Sequence, residues 1–114
     1  MDTAIPSVMD PGLMEARATE AAAFLASLAS RHRLMILCSL LDEELCVSDL
    51  QARMPLSQSN LSRHLATLRD EGLVATRRAG VAIYYRIASD KVQPILAALY
   101  LLYCAPGGGD RADA

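Results

Sequence analysis

The stretch "LSQSNLSRHLATLRDEGLVATRRAGVAIYYRI", residues 56–87, changes its period halfway along. Up to Gly72 its leucines recur at helical spacing: Leu61, Leu65 and Leu68 stand at i, i+4 and i+7 and form one buried stripe. Ser57 stands where a helix cap belongs, and Gly72 where a helix stops. After Gly72 the residues are β-branched, aromatic or basic, in two runs around Ala79-Gly80, which reads as a hairpin. A capped helix with a polar start, followed by a basic hairpin, is a unit built to meet a charged surface.

Working outward from residue 56, "EELCVSDLQARM" holds Ser48-Asp49-Leu50-Gln51, an S-x-x-Q capping box that predicts a short helix ended by Pro55. Before it, "RHRLMILCSLLD" reads as a helix capped by Ser30, with Leu34, Leu37, Cys38 and Leu41 on one face. Residues 13–29 form an alanine-rich first helix. A last helix starts near Ser89 and presents Val92, Ile95, Leu96, Leu99 and Tyr103 on its apolar face, with Pro94 tolerated in its first turn. The order is that of a winged helix-turn-helix: mainly α, with about five helices and a two-stranded β-hairpin wing. Residues 1–12 read as a flexible arm, 13–105 as one domain and 106–114 as a flexible tail.

The 114-residue chain suits one domain and has little core to spare, so a homodimer would help it. Its net charge of −2 argues against nucleic acid, but the distribution argues for it. Six arginines and only two acids, Asp70 and Glu71, lie between Arg53 and Arg86. A basic middle in an acidic chain is a patch, and patches decide binding more than totals do. Gln58 and Asn60 can bond base edges, and Arg63 can reach guanine or phosphate. Ser57 and Ser59 can donate to phosphates beside the helix start, and Ser62 belongs to the same DNA-facing polar surface. His64 fits a DNA or backbone contact better than a metal ligand, and Arg77 and Arg78 can lie along the DNA backbone or minor groove. Double-stranded operator DNA is the expected partner.

The start of the chain lacks a signal peptide's basic and apolar segments, and the apolar stretches near 34–41 and 95–105 are too short to span a bilayer. A cytoplasmic protein without a membrane partner is expected. In that compartment thiols are mostly kept reduced. There are three cysteines, Cys38, Cys46 and Cys104, and no CxxC pair. With no Gly-rich loop and no Cys-His-Asp arrangement, neither an enzyme nor a cofactor is expected.

The segments "RLMIL", "ELCVSDL", "LSQSNLSRHL", "GLVATRRAG" and "YYRI" resemble the core of the ArsR/SmtB family of bacterial repressors, over about residues 16–104. The resemblance implies a homodimer joined through its first and last helices, and a palindromic operator released on inducer binding. Arsenic-responsive members carry a second cysteine where Ser48 stands, and a hydroxyl is a poor soft-metal ligand. The zinc-type site of the last helix wants a histidine where Val92 stands, and no histidine follows His64. "ILCSLL" and "LYLLYC" are similar to the paired cysteine segments of the BigR/SqrR/HlyU branch. That likeness implies a sensor of reactive sulfur species such as glutathione persulfide, in which Cys38 and Cys104 become joined by a di- or polysulfide link. Such a sensor needs a thiolate, which a nearby positive charge favours, and Arg31 and Arg33 are near Cys38 in sequence. A soft-metal thiolate site of Cys38, Cys46 and Cys104, or a general redox response, stays open beside it. A core role for Cys38 does too, since free cysteine is often buried.

Overall fold

The computed structural model describes residues 9–104. Its elements are α1 (Pro11–Leu28), α2 (Arg31–Ser39), β1 (Leu45–Cys46), α3 (Val47–Arg53), α4 (Gln58–Asp70), β2 (Val74–Ala79), β3 (Ala82–Ile87) and α5 (Val92–Tyr103). This is the winged-helix order with five helices, and one element more than the sequence predicts. The sheet has three antiparallel strands in the order β1-β3-β2, not two. β1 pairs Leu45 with Tyr85 and Cys46 with Tyr84, so the inner strand of the wing is tied to the entry of α3.

α4 forms for the reasons its sequence states. Ser57 is extended, and its hydroxyl accepts the Asn60 amide at 3.2 Å. Leu61, Leu65 and Leu68 are fully or almost fully buried. Gly72 has φ +77°, the left-handed turn that a side chain resists. Leu73 and Val74 then enter the core, and Gly80, at φ +64°, closes the hairpin. Ile36, Leu37, Leu40, Leu50, Met54, Val92 and Leu96 complete the core around the α4 stripe.

Several expectations are corrected. The cap of α3 is Cys46, not Ser48. The strand pairing of β1 holds Cys46 extended, and its amide donates to the Asp49 carboxylate at 3.3 Å. Ser48 therefore lies inside the first turn, and the S-x-x-Q pattern falls within the helix. On α2 the buried face is Ile36, Leu37 and Leu40, while Leu34 and Leu41 sit at its rim and Cys38 is exposed. A core role for Cys38 is thereby removed. α5 begins at Val92, after a turn in which the Val92 amide donates to the Ser89 carbonyl at 3.3 Å. Val92 and Leu96 are buried and Ile95 and Leu99 packed beside them, but Tyr103 is 76% exposed. The expected N-terminal arm overlaps α1 at Pro11 and Gly12, where Asp10 accepts the Gly12 amide at 2.9 Å. The expected tail at 106–114 lies outside the described residues.

α1 buries only Ser27 and Leu28 and leaves Leu13, Met14 and Leu25 exposed. α5 leaves Tyr100, Leu101, Leu102 and Tyr103 exposed. The core therefore rests on α4. Leu65→Ala is expected to lower the unfolding free energy by about 2–5 kcal/mol, because the hole it leaves is walled by other helices. Urea unfolding at fixed protein concentration measures it, and a loss below about 1 kcal/mol would contradict the packing described.

Candidate DNA interface and thiol pair

The α4 start projects from the core with its polar side chains outward. Ser57, Gln58, Ser59, Ser62 and Arg63 are exposed, and Asn60 is half-buried. The Arg63 guanidinium donates to the Asn60 side-chain oxygen one turn back, so the two are held as a unit. Ser57 and Ser59 hydroxyls lie 3.3 Å apart. These are donors and acceptors of the kind that meet base edges and phosphates at the start of a recognition helix.

His64 points elsewhere. It is half-buried against α2, with its Nδ1 accepting from Arg33 Nε at 3.4 Å and its ring centroid 5.7 Å from that of His32. The same arginine donates through Nη1 to the Ser27 carbonyl at 3.3 Å, and the Ser27 hydroxyl bonds the Glu71 carboxylate. One polar chain thus joins the α1–α2 corner to the middle and the end of α4. No local pattern marks Arg33 for this role, because its side-chain partner lies on another helix.

The two wing arginines also differ. Arg77 Nε lies 2.6 Å from Glu44 Oε1, and its guanidinium carbon 5.0 Å from the Tyr84 ring centroid. Arg78 is exposed and makes no side-chain hydrogen bond or ion pair among the described residues. Arg53, at the end of α3, pairs with Glu43 at 3.2 Å.

Cys38 and Cys104 are both exposed free thiols. Burial pushes the Cys38 thiol up from its ordinary value, and the nearby Cys104 charge raises it further. The two thiols, far apart in sequence, lie on helices α2 and α5 that pack against each other. The Arg33 guanidinium, which sequence proximity offers as an activator of Cys38, is committed to His64 and Ser27. Cys46 is held at the start of α3, with its sulfur 3.1 Å from Ser48 Oγ and 3.2 Å from Asp49 Oδ2. Among the described residues no three histidine, cysteine or acidic side chains are grouped to hold a metal. A groove of about 930 Å³ lies between α1 and the end of α4, lined in part by Phe24, Glu71 and Lys91, and includes neither Cys38 nor Cys104. No single described helix is long and apolar enough to cross a membrane.

A buried leucine stripe under an exposed polar helix start, with a basic hairpin beside it, defines a winged helix-turn-helix DNA-binding protein. Comparison with known proteins makes the class specific. The pattern described as "Bacterial regulatory protein, arsR family" matches residues 30–76. The chain is 45% identical over 93 residues to the biofilm growth-associated repressor of Agrobacterium fabrum, covering 82% of this chain and 80% of that one. It is also 45% identical over 91 residues to the transcriptional activator HlyU of Vibrio cholerae, covering 80% and 84%. The crystal structure of the transcriptional repressor BigR from Xylella fastidiosa superposes with a TM-score of 0.80, with 38% identity over 85% of this chain and 99% of that one. The chain belongs to the ArsR family. It is a transcriptional regulator, as these relatives are, and not an enzyme.

Burial holds the His64 imidazole below its ordinary value of 6.5, and Arg33, His32 and Arg63 push the same way. The unfolded chain therefore takes up this proton before the folded one does. Stability from this group is complete above about pH 6.5 and is lost as pH falls below it towards the folded value. His64→Gln keeps an acceptor for Arg33 and removes the titration. Its urea midpoint is expected to drop less than the parent's between about pH 7.5 and about pH 5.5. Equal drops would show that His64 is not held in the environment described.

Proposed function

We propose that the protein is a homodimeric, thiol-switched repressor that releases its operator when reactive sulfur species join Cys38 to Cys104. The observation that supports this reading is that two exposed free thiols, Cys38 on α2 and Cys104 at the end of α5, stand on helices that pack against each other. Both steps need a thiolate as the attacking group, and the first is written here for Cys104. Cys104 then attacks the sulfane sulfur of a persulfide RSSH, giving Cys104–S–SH and releasing RSH. Cys38 attacks the inner sulfur, and the terminal sulfur leaves as hydrogen sulfide. The balance is two thiols and one RSSH giving one disulfide, RSH and hydrogen sulfide. Where a second RSSH first converts Cys38 to its own persulfide and releases a second RSH, attack of that persulfide on the inner sulfur of Cys104–S–SH gives a trisulfide link and hydrogen sulfide, so no direct disulfide has to form first. A link with added sulfur spans a longer gap than a direct disulfide, which favours persulfides over peroxide.

The exposed apolar side chains of α1 and α5 support the homodimer, since their surface is of the kind that subunits cover. Because Cys104 lies at the end of α5, a link to α2 would act on a helix that shares in that contact. A regulator of this class works on DNA in the cytoplasm.

Two measurements test this reading. After glutathione persulfide treatment, intact-mass and peptide spectra are expected to show Cys38 joined to Cys104 through two or more sulfurs, with operator affinity reduced. Cys38→Ser is expected to abolish both. Release that persists in Cys38→Ser, or release by arsenite that Cys46→Ser abolishes, would replace this reading with a different sensor. For DNA reading, Asn60→Ala is expected to relax preference at one operator position by about 1–3 kcal/mol, and Arg78→Ala to weaken binding to all sequences alike. Competition binding against single-base operator variants separates the two, and a uniform loss in Asn60→Ala would remove it from base recognition.

A further inference from the structure

Arg77 and Arg78 are adjacent in sequence and read at first as a pair of phosphate contacts. On a strand, successive side chains point to opposite faces, so the two cannot serve one surface. Arg77 stands directly opposite Tyr84 in the β2–β3 ladder, and its guanidinium lies over that ring at 5.0 Å. Its Nε is 2.6 Å from Glu44 Oε1. Glu44 immediately precedes β1, whose Cys46 pairs with the same Tyr84 from the other side. The guanidinium is thus fastened at once to its own hairpin and to the turn leaving α2. The neighbouring Glu43 holds Arg53 at the end of α3 at 3.2 Å.

We propose that Glu44 and Arg77 are positioning residues for DNA binding, with Glu44 holding Arg77 so that the wing stands at a fixed angle to the recognition helix α4. Arg77 is then not a phosphate contact. Its donor is committed to a carboxylate and its face to an aromatic ring. A competing possibility is that Glu44 merely masks an arginine that would otherwise bind phosphate. The two differ in the sign of one substitution. Loss of a mask tightens binding and adds an ionic contact, whereas loss of a positioning bond weakens binding and adds none.

The probe is a labelled duplex selected from random-sequence DNA by the parent protein. Affinity is measured over a range of salt for the reduced full chain and for Glu44→Gln, Arg77→Ala and the double variant. An exposed ion pair sets the scale, so Glu44→Gln and Arg77→Ala are each expected to weaken binding about three- to five-fold. The double variant is expected to be no weaker than Arg77→Ala alone. All of them are expected to keep the parent's slope of log affinity against log salt, because no phosphate contact is lost. Glu44→Gln alters only a half-exposed side chain, so its thermal midpoint is expected to stay near the parent's. Tighter or unchanged binding by Glu44→Gln overturns the proposal. So does a slope that flattens by about one in Arg77→Ala, the mark of a lost phosphate contact, and so do additive losses in the double variant.

Discussion

A recognition helix can hold its polar face out to DNA only if its opposite face is desolvated well enough to fix it. Here that is the contact of Leu61, Leu65 and Leu68 with Ile36, Leu37 and Leu40 of the α2 region, Leu50 of α3 and Val74 of β2. Each buried aliphatic side chain of this size contributes about 1.5–3 kcal/mol. Everything else is arranged around the stripe. α3 sits across it as the first helix of the DNA-reading pair, and Leu73 and Val74 carry the chain from the stripe directly into the wing. The Asn60–Arg63 unit and the serines at the helix start can be exposed because they lie on the far side of α4 from these leucines.

The sequence reveals this layout best where a strong local signal coincides with a buried face. The i, i+4, i+7 leucines, the Ser57 cap and Gly72 each specify α4 by themselves, and all agree. It reveals least where a feature is short or depends on distant partners. β1 is two residues long, and only the pairing of Leu45 and Cys46 with Tyr85 and Tyr84 makes it a strand. That same pairing moves the α3 cap from Ser48 to Cys46, which no propensity would choose. On α2 and the turn after it nearly every residue from Leu34 to Leu41 is apolar, so composition cannot say which face is inside, and Cys38 falls outside. The pairing of Cys38 with Cys104 is suggested by family likeness rather than by spacing, because no local pattern spans two helices so far apart in the chain.

The charge balance teaches a related lesson. The excess of arginine between residues 53 and 86 points to a DNA-binding surface, but it overstates how much of that charge is free. Arg53 and Arg77 are held by Glu43 and Glu44, which lie outside that stretch of sequence and beside it in space. Arg63, Arg69, Arg78 and Arg86 remain as exposed cations of the same stretch. Neutralising some arginines while leaving others open turns a diffuse basic patch into a defined set of exposed charges. Diffuse charge strengthens binding to any duplex, whereas a fixed set favours one arrangement of phosphates.

The three joints between the thiol-bearing helix and the DNA-reading unit share a geometry. Arg33, in the first turn of α2, holds His64 on α4; Glu43 and Glu44, just past the α2 end, hold α3 and the wing. α2 is therefore gripped at both ends by the parts that must fit the duplex, and Cys38 lies between those grips. A covalent link from Cys38 to the end of α5 would pull on the middle of a lever whose two ends carry the recognition helix and the wing. Because the joints are few and polar, and two of the three are exposed, they can rearrange at little cost, whereas Ile36 and Leu37 keep α2 itself seated in the core. The leucine stripe beneath, being close-packed, resists displacement. Under the proposed switch, rigid packing at the core with yielding polar joints around it would let a change at one sulfur alter the angle between wing and helix while leaving the fold intact.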